Sequence, residues 1–300
     1  MNRETLAQFE SSEKGLLVRA PAKINLSLLI ADKRPDGYHN LETVMAKIAF
    51  YDEIFLEKNN VSELKLICKG NWSPEGKENL IYKAAELFYK RINKQPDVTI
   101  TLTKNIPAGS GLGGASSDAA SVVLALNKLH NNALAESNLY EICAQLGSDV
   151  SFFLNGPLAV CTGRGEKVEK IDKRLEFSIN LILPNINIST KKVYDAYKVD
   201  MNRFNELSAK IRGYISGNKI ALIPKLCANM LAKTCFLVDN ELALLQVKIQ
   251  EITKMPVCLS GSGSALFVFS DDGSYHDVDI LRSELKSHNC NCIIVSSNEW

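Results

Sequence analysis

Histidine is scarce in this chain. There are four, none spaced from another as paired metal ligands are, so no dedicated metal site is expected. Long apolar runs are also missing. No stretch approaches the roughly 18 residues that a membrane-spanning helix needs. The polar start, MNRETLAQFESSEKG, has no apolar signal-peptide core and reads as a frayed extension. A cytoplasmic protein with no membrane partner is expected. Basic runs are missing too: 35 Lys and Arg stand against 34 Asp and Glu, a net charge of +1, with no electrostatic footprint for nucleic acid. Internal repeats and low-complexity linkers are absent.

What is present fits an ordinary globular protein: 46% hydrophobic and 23% charged residues over 300 positions, enough for two packed domains. Cys143, Cys161 and Cys258 sit in apolar company and read as buried free thiols, while Cys290 and Cys292 are too close for a zinc or redox spacing. In LLVRAPAKINLSLLI, Lys23, Asn25 and Ser27 alternate with Ile24, Leu26 and Leu28, which predicts a strand with the polar residues on one face. Pro35, Asp36 and Gly37 mark a turn, and MAKIAFYDEIFLEK resumes extended structure. ENLIYKAAELFYKRI reads as a helix with Leu80, Ala84, Leu87 and Phe88 on its apolar stripe. The strand DVTITLTK, a glycine loop, the helix DAASVVLALNKLH and the helix ESNLYEICAQL follow, then a hairpin around TGRGEKVE. SINLILP opens a second half of helices and apolar strands. Strands and helices mix without βαβ alternation, so the expected class is α+β.

The glycine loop, Pro107-Ala108-Gly109-Ser110-Gly111-Leu112-Gly113-Gly114-Ala115-Ser116-Ser117, is the most informative element. A loop between a strand and a helix start gathers backbone N–H groups where the helix dipole favours anions, and glycine lets the backbone approach a phosphate. Ser116 and Ser117 are placed to cap the helix or to touch phosphate and its magnesium, and Asp118 to sit in the first turn. The spacing satisfies G-x-G-x-x-G, but a second parallel strand with an acidic end does not follow, so a dinucleotide-binding oxidoreductase is disfavoured. No lysine completes a P-loop, and neither H-R-D nor D-F-G is present. A tight turn without a ligand is the plain alternative.

P-A-G-S-G-L-G-G-A-S-S resembles the central motif of the GHMP kinases, although Ala115 stands where many relatives carry glycine or serine. A-P-A-K-I-N-L matches the family's early motif and L-S-G-S-G-S-A-L-F its late one. R-P-D-G-Y-H-N-L, G-L-G-G-A-S-S-D-A-A, L-G-S-D-V-S-F-F-L and T-G-R-G-E narrow the resemblance to members whose small-molecule acceptor carries a cytidine diphosphate. The resemblance implies a two-domain fold, residues 1–170 and 171–300, with the site in the cleft between them. It implies ATP as donor, Mg2+, and transfer to the 2-hydroxyl of a methylerythritol unit on a route to isoprenoid precursors. It assigns Asp149 as the base and Lys23 as its partner; a helix cap and an exposed edge lysine are the alternatives. It puts Asn25, Tyr38, His39 and Tyr194 on the acceptor, with Tyr194 nearly as well read as a plain structural tyrosine. Asn79 and Lys104 would touch the nucleotide, or simply cap a helix and end a strand in solvent. Gly261, Ser262 and Gly263 would close over the site, or form a plain turn. No carboxylate cage for a metal is visible, so Ser116 acting through Mg-ATP is the expected contact. A GHMP kinase for another alcohol or phosphomonoester, and a nucleotide binder without catalysis, are the competing readings. The chain is expected to be a monomer or homodimer.

Overall fold

A computed structural model describes residues 6–70, 74, 76–270 and 275–300, and only the backbone of 275–277 and 287. The fold is α+β. Strands β1 (Phe9–Ser11), β2 (Leu16–Lys33), β3 (His39–Lys58), β4 (Leu64–Lys69), β5 (Val98–Thr103), β6 (Leu158–Gly163) and β7 (Lys167–Lys170) belong to one sheet. The long β2–β3 hairpin is its spine. β6 pairs with the start of β3, β5 with its end, and β4 runs parallel to β5. β8 (Ser178–Pro184) opens a second sheet, while the two-residue β9 (Ala228–Asn229) returns to the first and pairs parallel to β2 at Ser27 and Leu28. β10 (Cys258–Leu259), β11 (Leu266–Ser270) and β12 (Cys290–Ser296) complete the second sheet in the order β10-β11-β8-β12.

The helices are α1 (Leu80–Arg91), α2 (Gly114–Leu129), α3 (Glu136–Leu146), α4 (Thr190–Ala196), α5 (Met201–Ser216), α6 (Ala232–Val238), α7 (Asn240–Thr253) and α8 (Tyr275–Leu285). Among the described residues no helix is long and apolar enough to cross a membrane.

The period-two pattern of β2 holds, but both faces are covered. Ile24 and Leu26 join a core with Ile179, Leu181 and Phe267 of the second sheet, and Lys23, Asn25 and Ser27 are buried as well. Further along, Leu28 and Ile30 pack with Leu242, Leu245 and Ile249 of α7. The buried residues of α1 are Ile81, Ala84, Ala85, Phe88 and Tyr89; Ala84 and Phe88 of the expected stripe are among them, while Leu80 and Leu87 flank it half-buried. Burying Phe88 alone contributes about 1.5–3 kcal/mol.

Three other expectations change. Phe9–Ser11 is not frayed: it pairs antiparallel with Leu16–Val18, and residues 1–5 of that extension lie outside the described residues. Cys258 is not a free thiol but is disulfide-bonded to Cys227. Helix α2 starts at Gly114, so Ser116, Ser117 and Asp118 lie inside it rather than at its entrance, and Asp118 falls beyond the first turn.

Candidate active site

The glycine loop leaves β5 at Lys104 and enters α2 at Gly114. Gly109, Gly111 and Gly113 have φ of 68°, 81° and 71°, a region that favours glycine. At Gly111 space matters as much as torsion: a Cβ there would lie 2.2 Å from the Ser260 carbonyl oxygen. Three hydrogen bonds fasten this loop to the two other motifs. The Lys23 N–H donates to Leu112 O (2.9 Å), Ser260 Oγ–H to Gly111 O (3.0 Å), and Ala265 N–H to Ser110 O (2.9 Å). The early strand, the central loop and the late turn therefore meet at one point. Asn229 adds a brace, donating to the carbonyls of Leu259 (2.9 Å) and Gly261 (2.8 Å), which explains why so short a strand as β9 forms. Ser262 shares a hydroxyl hydrogen bond with Thr190 (2.8 Å), and Gly261 and Gly263 both have positive φ.

Gly113 is the N-cap of α2, and among the described residues no side chain caps the N–H groups of the first turn. Those groups and the helix dipole are left for an anion. Ser116 is half-buried beside them, whereas Ser117 is fully buried with its hydroxyl unpartnered.

Lys23 and Asp149 come together beside this loop. Lys23 is buried, its Nζ donates to Asn25 Oδ1 (2.7 Å), and it lies 3.6 Å from Asp149 Oδ2. Asn25 in turn donates to Thr43 Oγ1 at 2.8 Å, which fixes its amide. A Cβ on Gly113 would sit 3.0 Å from Lys23 Cγ and 3.1 Å from the Phe153 ring, so the loop rests directly on the lysine stem. Asp149 follows α3 and is one-third exposed, with Val150, Phe152 and Phe153 buried behind it. It does not cap the short 3-10 turn Ser151–Leu154.

His39 stands at the start of β3. Its Nδ1–H donates to Ala31 O at 2.9 Å; a carbonyl can only accept, so Nε2 of the neutral ring is left as an acceptor. Its ring lies 5.9 Å from that of Tyr194 and 6.2 Å from that of Tyr197. Burial and the charge of Asp149 push the Tyr194 hydroxyl above its ordinary pKa. Tyr197 was not singled out in the sequence; its place three residues beyond Tyr194 was the available signal. Tyr38 stands apart from these rings, 57% exposed, with the Arg164 guanidinium 5.2 Å above its ring.

Asn79 serves as the N-cap of α1. Its Oδ1 accepts from the Ile81 N–H (2.9 Å), and its Nδ2 donates to Pro74 O (2.9 Å). Lys104 is not a strand end in solvent. It is buried between Asp52 and Asp118, donating to both, at 2.9 Å to Asp118. The other oxygen of Asp52 accepts the N–H groups of Asn105 (2.6 Å) and Ile106 (2.8 Å), so one carboxylate grips the root of the glycine loop. Burial works against the Lys104 charge, but the Asp118 and Asp52 carboxylates outweigh it and leave its pKa raised. Burial, then the charge of Asp52, push Asp118 well above the usual carboxylate range despite Lys104. A cavity of about 1180 Å3 lies beside the loop between Pro107, Ala108 and Ser110 and residues such as Asn185, Arg282 and Lys286. Lys23 and Asp149 do not line it.

Lys47 pairs in register with Lys23 across the β2–β3 hairpin. It is buried without a carboxylate within 4 Å among the described residues. Its Nζ donates to the carbonyls of Phe153 (3.2 Å) and Asn155 (2.6 Å), in the turn after Asp149. Desolvation pulls its pKa down to about 7. Between that value and the unfolded lysine value the unfolded chain binds the extra proton, so stability rises with pH there. The native protein is expected to gain about 2–3 kcal/mol from Lys47 between pH 7 and 9. Lys47→Met removes that slope. Urea unfolding at both pH values checks this, and parallel pH profiles for the two proteins would refute it.

The family pattern for the GHMP kinases N terminal domain matches residues 79–157, which span α1, the loop, α2, α3 and Asp149. By structure, the chain resembles a homoserine kinase from Cytophaga hutchinsonii, at TM-score 0.74 and 16% identity over 98% of each chain. It is also similar to a 4-(cytidine 5'-diphospho)-2C-methyl-D-erythritol kinase, at TM-score 0.74 and 28% identity, covering 95% of this chain and 100% of the other. The fold is that of a GHMP kinase. By sequence, 4-diphosphocytidyl-2-C-methyl-D-erythritol kinases from Geobacillus sp. and Bacillus subtilis are 38% and 37% identical over 252 and 255 residues, each 84% of this chain and 87% of the relative. The chain belongs to the 4-diphosphocytidyl-2-C-methyl-D-erythritol kinases.

Proposed function

We propose that this protein transfers the γ-phosphoryl group of ATP to the 2-hydroxyl of 4-diphosphocytidyl-2-C-methyl-D-erythritol. The products are ADP and the 2-phosphate, within the methylerythritol phosphate route to isoprenoid precursors. The observation that carries this reading is the Lys23–Asp149 pair, 3.6 Å apart, with the Lys23 stem against Gly113 of the phosphate-type loop. Phosphoryl transfer asks little covalent chemistry of a protein; it asks for positioning and charge.

Each demand has a residue. Asp149 accepts the proton of the attacking hydroxyl. Lys23, held by Asn25, keeps that carboxylate ionised and faces the charge that develops at the reacting oxygen. The uncapped N–H groups of α2 bind donor phosphate, with Asn79 and Lys104 on the nucleotide side of the loop. Ser116, in the first turn of α2, would hold the Mg2+ that comes with the triphosphate and that would offset its charge. Tyr38, His39 and Tyr194 hold the cytosine, where the free Nε2 of His39 suits the exocyclic amine. Gly261, Ser262 and Gly263 close the site from the second half, residues 171–300, against residues 1–170. The reaction takes place in the cytoplasm. Phosphorus NMR of the reaction mixture tests this: a new phosphomonoester on the methylerythritol unit is expected, with the diphosphate linkage intact. A product phosphorylated on the ribose would refute the acceptor geometry.

A further inference from the structure

The mechanism leaves the buried Lys47 without a task. Its rung partner in the β2–β3 hairpin is Lys23. Residues directly opposite in an antiparallel pair project from the same face of the sheet, so the two lysines stand side by side. One segment, residues 149–155, meets both. Lys23 reaches its start at the Asp149 carboxylate (3.6 Å). Lys47 reaches its end at the carbonyls of Phe153 (3.2 Å) and Asn155 (2.6 Å).

A general base has to keep its oxygens open to the incoming hydroxyl, so its aim must come from the main chain. Behind Asp149 that main chain is the 3-10 turn Ser151–Leu154, whose last carbonyls find no N–H within the turn. Lys47 supplies the donors. It fastens the same stretch a second time, its own N–H donating to Pro157 O at 2.8 Å. Tyr140 donates to Asn155 Oδ1 (2.7 Å) and Asn155 Nδ2 to Ser151 O (3.1 Å), bonds that tie the turn to α3 and to itself. Lys47 ties it to the sheet that carries Lys23. Phe153, whose carbonyl Lys47 holds, also sets its ring against the Gly113 position of the glycine loop. A buried amine or ammonium with no carboxylate beside it is costly, and an apolar chain of similar length would fill the space. What that chain could not supply is the pair of donors.

We propose that Lys47 is a positioning residue: it holds the turn after Asp149 to the sheet and so sets where the base stands relative to Lys23 and the glycine loop. The inference rests on the reading of Asp149 as the base. Lys47 touches no reacting atom. A base displaced by about 1 Å loses up to about 10²-fold in rate, so a tether this remote has a measurable effect. That effect passes through one carboxylate and disappears when the carboxylate is gone.

The test is a double-mutant cycle on the phosphoryl-transfer step, measured by rapid quench in the full chain with Mg-ATP and the cytidylyl acceptor. Lys47→Met is expected to slow that step about 10- to 100-fold, with the KM of both substrates near the parent values. In the Asp149→Asn background the same change is expected to cost nothing further, since no base is left to place. Lys47→Gln keeps N–H donors without the charge. It should fall between the methionine variant and the parent, and it carries the cycle if Lys47→Met does not fold. A parental rate for Lys47→Met beside a slow Asp149→Asn would overturn the inference and leave the base standing. So would equal losses in both backgrounds, which would report a structural role. An unchanged rate for Asp149→Asn would bring down the base reading itself, and this inference with it.

Discussion

Asp149→Asn is expected to lower kcat by about 10²–10⁴ while leaving the fold and ATP affinity close to the parent values. The amide is nearly the same size as the carboxylate but cannot take the hydroxyl proton, so only the chemical step suffers. Local structure should tolerate the change because Asp149 is one-third exposed and Lys23 keeps its 2.7 Å bond to Asn25. The Lys23–Asp149 contact at 3.6 Å is not what holds the loop in place; the backbone bond from Lys23 to Leu112 is. Pre-steady-state rates separate chemistry from product release, and nucleotide titration reports the donor site. An unchanged rate would remove Asp149 from the mechanism.

Lys104→Met is expected to destabilise the protein by about 3–5 kcal/mol, the usual cost of stripping one partner from a buried ion pair. The methionine fills the same volume, but Asp52 and Asp118 are then left facing each other without a cation. Asp52 cannot turn away, because its other oxygen holds the N–H groups of Asn105 and Ile106. Asp118 must instead take up a proton. The folded variant then binds more protons than the unfolded chain, so the penalty grows as pH rises. Adding Asp118→Asn removes that charge and should restore part of the loss. Urea unfolding at pH 6 and 8 measures all three proteins. A single variant as stable as the parent would mean that the triad does not anchor the loop.

These two residues also mark what the sequence could convey. Asp149, Lys23 and the three motifs, two of them glycine-bearing, were legible because each carries a local pattern, and the structure brings the motifs to one point through Leu112, Gly111 and Ser260. The Lys104 triad was not legible. Its partners lie 52 and 14 residues away, on a strand and a helix whose own patterns say nothing of that contact. Lys47 was hidden for a related reason: a strand lysine reads as exposed unless the turn that covers it is known. The disulfide joins cysteines 31 residues apart with no spacing rule between them. Helix α2 begins at Gly114 because the left-handed Gly113 caps it, an option that helix propensity, which penalises glycine, does not suggest. Tyr197 was missed because its partner His39 comes from the opposite half of the chain.

The most direct measurement is ADP release from Mg-ATP by the purified protein, with 4-diphosphocytidyl-2-C-methyl-D-erythritol offered beside homoserine, mevalonate and galactose. Turnover confined to the cytidylyl acceptor is the predicted result. Turnover with one of the other alcohols, and none with the cytidylyl compound, would contradict the acceptor assignment while leaving the ATP loop and the Lys23–Asp149 pair in place.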